Sequence, residues 1–103
     1  MSVDVGALDD FVVGEPRQLH VADKVLVGVR IDDEVFVLDD RCSHEEFPLS
    51  EGTVDLYSCE IECARHGAMF RLRDGEPMSL PATKPVGYYE VAIRDGRVEV
   101  FVP

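Results

Sequence analysis

The pattern of apolar and polar positions predicts a first β-hairpin in the front half of the chain. Residues 25–31 and 34–38 are rich in valine, leucine and isoleucine, and Asp32 and Asp33 separate the two runs. Short runs of β-branched residues bounded by turn-forming residues are typical of strands. We therefore expect two strands that turn at Asp32 and Asp33.

A second hairpin is predicted near the carboxyl end. Residues 88–93 and 98–102 flank the dipeptide Asp95-Gly96, which favours the tight turns of two-residue hairpin loops. Side chains alternate across a strand, so positions two apart lie on the same side. One face of this strand is expected to carry Tyr89, Val91 and Ile93.

Shorter strand candidates complete an all-β prediction. Residues 18–21, 59–62 and 68–72 have strand-like composition, and no segment has a convincing helical pattern. Frequent turn signals between short strands favour an antiparallel β-sandwich or barrel. The second and third candidates would form a hairpin whose turn carries Cys63 and His66.

Cysteine and histidine occur as two pairs. Cys42 and His44 are separated by one residue, Cys63 and His66 by two, and eighteen residues lie between the pairs. Two sulfur and two nitrogen ligands from two loops match a [2Fe-2S] cluster in which cysteines hold one iron and histidines the other. A single intervening residue suits this arrangement, because Cys42 and His44 would reach different irons.

Two other interpretations of these four residues remain open. Two cysteines and two histidines can also hold zinc, although zinc sites usually place two to four residues between paired ligands. The same residue types can also lie in a protein core without binding a metal. The single residue between Cys42 and His44 favours the iron–sulfur interpretation over zinc.

The motif C-x-H followed by C-x-x-H resembles the signature of Rieske iron–sulfur proteins. Residues 48–52 (PLSEG) and 80–82 (LPA) are similar to the small Rieske ferredoxins of bacterial aromatic-ring dioxygenase systems, of the biphenyl and phenylpropionate type. The resemblance implies one [2Fe-2S] cluster per chain, bound as metal and cofactor by Cys42, His44, Cys63 and His66. It also implies the Rieske fold, an antiparallel β-sandwich with a small cluster-binding subdomain.

The same resemblance implies how the chain is organised. Residues 1–103 would form a single Rieske domain, with cluster-binding loops at about 41–50 and 62–70. The proline-rich loop at about 76–87 would pack over the cluster and limit the access of water. Respiratory Rieske proteins carry hydroxyl groups that correspond to Ala68 and Phe70, so this chain is expected to have a potential toward the low end of the family range.

The function implied is electron transfer without catalysis. A ferredoxin of this type passes single electrons from a flavin-dependent ferredoxin reductase to a terminal ring-hydroxylating oxygenase. His20 is the only histidine outside the motif, too few for the two-histidine site of a mononuclear iron oxygenase. Alternatives are another redox or accessory partner, such as iron–sulfur assembly enzymes, and a zinc-stabilised interaction module.

Composition limits the partners further. Twenty-one acidic residues against ten basic ones give a net charge of -11, which disfavours nucleic acid as a partner. Glu45 and Glu46 lie beside His44, and such acidic residues suit either a basic docking partner or simple solvation. No apolar run approaches a membrane span and the first residues lack a secretory pattern, so we expect a cytoplasmic monomer that does not bind membranes.

Cys59 is left over once Cys42 and Cys63 are assigned as ligands. A disulfide is not expected in a cytoplasmic chain. Cys59 is therefore predicted to be a small buried apolar residue, and as a ligand paired with Cys63 it would break the family pattern.

Overall fold

The computed structural model describes residues 1–43, 47–65, 67–80 and 82–103. Within these ranges the chain folds almost entirely into antiparallel strands, and its only helical segments are two short 3₁₀ turns, Leu8–Asp10 and Leu49–Glu51. The strands are β1 (Ser2–Ala7), β2 (Arg17–Val21), β3 (Lys24–Ile31), β4 (Glu34–Asp39), β5 (Thr53–Asp55), β6 (Glu60–Glu62), β7 (Met69–Arg71), β8 (Tyr88–Tyr89), β9 (Val91–Arg94) and β10 (Arg97–Phe101).

Three sheets are formed, with the strand orders β1-β10-β9, β2-β3-β4-β8 and β5-β6-β7. The all-β prediction is confirmed. The hairpin of β3 and β4 turns at Asp32, which has a φ of 54°, and that of β9 and β10 turns at Asp95 and Gly96, with φ of 50° and 74°. Two successive positive φ values suit the tight turn that the Asp-Gly dipeptide predicts.

The hairpin of β3 and β4 lies between two apolar cores and contributes to both. Val27, Val29 and Leu38 lie in the first core, which also contains Cys42 and Cys63. On the opposite face, Leu26, Val35 and Val37 belong to the second core, together with Val98 and Val100 of β10. The first core therefore joins the central sheet to the sheet of β5, β6 and β7.

The predicted strand 88–93 is interrupted in the structure. Tyr88 and Tyr89 pair with β4, whereas β9 starts at Val91 and pairs with β10. Tyr89 and Val91 both pack against the second core, but Ile93 is 37% exposed near the end of its sheet. Val91 and Ile93 lie two apart in β9 and share one face as predicted, but the segment predicted as one strand is divided between two sheets.

Two strands have no counterpart among the predictions, β1 and β5. β1 pairs with β10, so that Ser2 lies opposite Phe101 at the other end of the chain. β5 has only three residues and pairs with β6. Among the described residues, no helix is long and apolar enough to cross a membrane.

Candidate metal centre

Cys42 and Cys63 are brought together in the first core by two different loops. Cys42 follows the end of β4, Cys63 lies in the turn between β6 and β7, and they are 1% and 0% exposed. Both belong to the same cluster of buried residues. The predicted hairpin that carries Cys63 is confirmed, with Glu62 opposite Met69 at its end.

Backbone hydrogen bonds close both loops. The amide of Cys42 donates to the carbonyl of Phe47 at 2.9 Å, across the first loop. In the second loop, the amide of Cys63 donates to the carbonyl of Ala68 at 2.8 Å, and the amide of Gly67 donates to the carbonyl of Cys63 at 2.9 Å. Gly67 has a φ of 73°, a conformation that glycine adopts without strain, so this position favours glycine for its backbone geometry.

His44 and His66, the two nitrogen ligands predicted from sequence, lie outside the described residues, as do Glu45 and Glu46. The structure therefore places the two predicted sulfur ligands only. Among the described residues there is no group of three or more metal-binding side chains. Only two of the four predicted ligands, Cys42 and Cys63, belong to that part of the chain.

The chemistry of the two cysteines fits a metal cluster. No disulfide joins any cysteine of the chain, although Cys42 and Cys63 lie in one core. A thiolate buried among apolar side chains is costly unless a positive centre compensates its charge. Iron supplies such a centre, and cysteine thiolates are the usual ligands of iron–sulfur clusters.

A third segment, the proline-rich loop, packs against the same core. Ala82 and Val86 are 4% and 6% exposed and belong to the first core. The hydroxyl of Ser43, next to Cys42, donates to the backbone carbonyl of Lys84. Leu80, in contrast, is 79% exposed, and Pro81 lies outside the described residues. Ala82 and Val86 of this loop therefore lie in the same core as Cys42.

Two neighbouring carboxylates at the end of β4 anchor these loops. Asp39 accepts a hydrogen bond from the Tyr89 hydroxyl at 2.6 Å, and its amide donates to the carbonyl of Gly87 at 2.8 Å. Burial, followed by the contact with Asp39, raises the pKa of Tyr89 to about 12. Asp39 thus holds the exit of the proline-rich loop against β4.

Asp40 is 8% exposed and is the only buried charged side chain among the described residues. Its carboxylate accepts hydrogen bonds from Gln18 Nε2 at 2.8 Å, from the Ser50 amide at 2.6 Å and from the Ser50 hydroxyl at 2.7 Å. The sequence pattern did not indicate the contact between Asp40 and Ser50. Two successive acidic residues directly after an apolar strand are typical of a turn, and such a pattern does not report which distant groups the carboxylates contact.

The prediction for Cys59 is wrong. Cys59 is only partly buried and lies in the turn between β5 and β6, with a φ of 57°. It does not belong to either core, and its Sγ lies 3.9 Å from the carbonyl oxygen of Leu56. Strand propensity does not report the geometry of this turn. The turn places Cys59 directly before β6, whereas Cys63 directly follows β6.

Ala68 and Phe70 lie in the same core as the second cysteine. Both are 0% exposed and share the first core with Cys42 and Cys63. Neither side chain can donate a hydrogen bond to sulfur. His20, which was given no role, is exposed on β2.

Comparisons with known proteins agree with this centre. The family model for the Rieske [2Fe-2S] domain matches residues 1–92. The anthranilate 1,2-dioxygenase ferredoxin subunit of Burkholderia cepacia is 41% identical, over 95% of this chain and 89% of that protein. Ferredoxin CarAc of Metapseudomonas resinovorans is 37% identical, over 93% of this chain and 89% of that protein.

Solved structures are similar as well. The ferredoxin of carbazole 1,9a-dioxygenase from Nocardioides aromaticivorans IC177 matches with a TM-score of 0.95 and 34% identity, over 97% of this chain and 96% of that chain. The ferredoxin in a complex of reduced oxygenase and oxidized ferredoxin of carbazole 1,9a-dioxygenase matches with a TM-score of 0.89 and 35% identity, over 96% of this chain and 91% of that chain. The chain belongs to the Rieske [2Fe-2S] domain family, and its cofactor is one [2Fe-2S] cluster.

Proposed function

We propose that this chain is a one-electron carrier that delivers electrons to the terminal oxygenase of a ring-hydroxylating dioxygenase system. The observation that carries the proposal is the pair of buried cysteines, presented by two loops to one core, in a chain that is 41% identical to a dioxygenase ferredoxin subunit. The chain itself performs no catalysis.

For the ligands, we propose Cys42 and Cys63 on one iron and His44 and His66 on the other. The burial of both cysteines in one core and the spacing of the two motifs support this assignment. The bound cluster supplies a site that accepts and releases a single electron. Family membership also removes the support for a zinc-stabilised module, since the matching family binds a [2Fe-2S] cluster.

The surrounding residues exclude water and hold the ligand loops. Phe70, Leu72 and Leu49 are all at most 1% exposed around the two cysteines. In such an apolar environment, adding an electron to a negatively charged group is costly. Two neutral imidazoles in place of two thiolates lower the negative charge of the centre, and this ligand set therefore favours reduction.

The partners follow from the need to receive and pass on single electrons. A ferredoxin related to this chain has been observed in a complex with its oxygenase. For the donor, we propose a flavin-dependent reductase, because a flavin can take a hydride as an electron pair and release the electrons singly. We also propose that residues 1–103 form one domain, because the β3–β4 hairpin contributes side chains to both cores.

The ligand assignment is tested by replacing each ligand beside a matched control. Cys42→Ser and Cys63→Ser are compared with Cys59→Ser, and His44→Asn and His66→Asn with His20→Asn. We expect iron, acid-labile sulfide and visible absorption to be lost in the four ligand variants and retained in both controls. Full cluster content in any one of the four ligand variants would overturn the assignment of that residue.

Electron delivery is tested by rapid mixing. The reduced chain is mixed anaerobically with the oxidised oxygenase component of an anthranilate 1,2-dioxygenase system, and the visible spectra of both are followed. We expect the chain to become oxidised as the oxygenase becomes reduced. If the chain stays reduced with this oxygenase and with a carbazole 1,9a-dioxygenase oxygenase, although its cluster is intact, the proposed acceptor is wrong.

A further inference from the structure

We infer that Asp40 is a positioning residue that fixes the separation of the two cysteine-bearing loops. The inference rests on the cluster site proposed above and adds to it a residue that binds neither iron nor substrate. The observation behind it is a buried carboxylate that receives three hydrogen bonds, two of them from the far end of the first loop.

The first step concerns the first loop. Asp40 lies two residues before Cys42, and Ser50 follows the loop in the 3₁₀ turn Leu49–Glu51. Both the amide and the hydroxyl of Ser50 donate to the Asp40 carboxylate, at 2.6 and 2.7 Å. The two ends of the loop that carries Cys42 are therefore joined by a pair of charge-assisted hydrogen bonds, which are stronger than neutral ones.

The carboxylate is itself fixed to the central sheet. Gln18 of β2 donates to Asp40 Oδ2 at 2.8 Å, and the Asp40 amide donates to the carbonyl of Val25 in β3 at 3.1 Å. Several donors satisfy the hydrogen-bonding capacity of this buried carboxylate. Removing one of them would leave an acceptor unpaired and would cost the free energy of its desolvation. The base of the loop is thus held on two strands of the central sheet.

The second step connects Ser50 to the other cysteine. Gly52 lies two residues after Ser50, and a Cβ atom at this position would overlap the carbonyl oxygen of Glu62. Glu62 directly precedes Cys63, and its pairing with Thr53 starts the β5–β6 ladder. Gly52 has ordinary extended backbone angles, φ -88° and ψ -167°, so glycine is needed here for space. Asp40 is therefore linked to the residue before Cys63 by its hydrogen bonds to Ser50, by the backbone from Ser50 to Gly52, and by the close approach of Gly52 to Glu62.

This connection has a direct consequence for the cluster. Cys42 and Cys63 must reach one iron from separate loops, so their separation has to be maintained when the cluster is bound. Burial alone does not fix it, because apolar contacts do not specify a direction. The hydrogen bonds of Asp40 do, since they restrict both ends of the first loop and place its exit against the second.

The test compares Asp40→Asn and Ser50→Ala with Asp55→Asn and Ser58→Ala. Asp55 also accepts hydrogen bonds from backbone amides, those of Tyr57 at 2.9 Å and Ser58 at 3.2 Å, but in the turn before β6, at the end away from Cys63. Ser50→Thr retains the hydroxyl and serves as the rescue variant. The cluster content of the wild-type chain is measured first. A wild-type chain that binds no cluster would contradict the proposed function itself.

The readouts are cluster loss in excess chelator, the electron paramagnetic resonance spectrum of the reduced chain, and hydrogen exchange of the Ser50 amide. We expect Asp40→Asn and Ser50→Ala to lose the cluster about tenfold faster or more and to change the spectrum, with Ser50→Thr close to wild type. The controls should change neither the rate of cluster loss nor the spectrum. Should Asp40→Asn fail to fold, Ser50→Ala carries the test.

Two results would overturn the inference. One is cluster loss in Asp40→Asn and Ser50→Ala at the rate of the Asp55→Asn control, with an unchanged spectrum. The other is rapid exchange of the Ser50 amide in the wild-type chain, which can be measured whether or not the cluster is bound and would mean that the hydrogen bond to Asp40 does not hold the loop.

Discussion

The guanidinium of Arg65 lies over the aromatic ring of Phe47, with 6.0 Å between Cζ and the ring centroid. Arg65 belongs to the loop of Cys63 and Phe47 to the loop of Cys42, so this contact joins the two ligand loops at their outer side. Phe47 also packs against the first core. The contact adds a cation–π attraction to the backbone hydrogen bonds that close each loop.

Replacing Phe47 by leucine is expected to weaken this connection while apolar packing is retained. The attraction is about 0.5–1 kcal/mol at such an exposed site, so cluster loss in excess chelator should become about 2- to 5-fold faster. Phe36→Leu is the matched control, because Phe36 is also partly buried against the first core and lies under Arg73 at 5.5 Å. Equal acceleration in both variants would show that general destabilisation is the cause.

Gly52→Ala is expected to disturb the site through sterics alone. The added methyl group would overlap the Glu62 carbonyl, so the exit of the first loop has to move away from the residue before Cys63. We expect a loss of about 1–3 kcal/mol in the free energy of unfolding, measured by denaturant titration, together with reduced cluster content. Gly96→Ala provides the comparison, because it adds a methyl group at a turn where no atom lies within 4 Å. There, stability should fall through backbone strain with cluster content unchanged.

The reduction potential is expected to lie below about +150 mV, in the lower part of the Rieske range. Ala68 and Phe70 offer no hydroxyl near the cysteines, and a hydrogen bond to sulfur stabilises the more negative reduced state. In Ala68→Ser or Phe70→Tyr, a new bond worth about 1–2 kcal/mol in favour of the reduced state would raise the potential by about 40–90 mV. Phe101→Tyr, which adds the same hydroxyl at a 39% exposed site, should leave the potential unchanged in protein-film voltammetry.

The raised pKa of Tyr89 predicts that the folded chain loses stability in alkaline solution. Its pKa is raised from 10.0 to about 12 by burial and by Asp39, so the folded chain keeps the neutral phenol. The associated stability is complete below about pH 10 and is lost as the pH rises toward 12, because only the unfolded state releases the proton easily. In Tyr89→Phe this part of the alkaline decline should vanish from urea titrations, with about 1 kcal/mol lost at neutral pH. An unchanged alkaline decline in Tyr89→Phe, or the same effect from the 54% exposed Tyr88→Phe, would contradict this account.

The sequence predicted what depends on local patterns. Alternation and the Asp-Gly dipeptide were sufficient for the β3–β4 and β9–β10 hairpins, since these pair neighbouring segments. The two cysteines that share the first core were predicted to act together because each belongs to a short motif of cysteine and histidine. β1 was missed because its partner, β10, lies at the other end of the chain, and no local pattern reports such a pairing.

The supporting network of the site was also missed, for a related reason. Asp40 has its partners at Gln18 and Ser50, twenty-two and ten residues away, so nothing beside it in the sequence indicates its burial. Gly52 is required by the Glu62 carbonyl, which becomes its neighbour only when β5 and β6 pair. Contacts that hold a site in place are thus less visible in a sequence than the ligands themselves.

The central claim is that two cysteines and two histidines of this chain hold one [2Fe-2S] cluster. Low-temperature electron paramagnetic resonance of the dithionite-reduced chain tests it most directly, since histidine ligation on one iron gives a characteristic rhombic signal. We expect that signal, at about one spin per chain, in the wild type and in His20→Asn, and its loss in His44→Asn and His66→Asn. A silent, colourless protein that contains zinc, or an unchanged signal in both ligand variants, would contradict the claim.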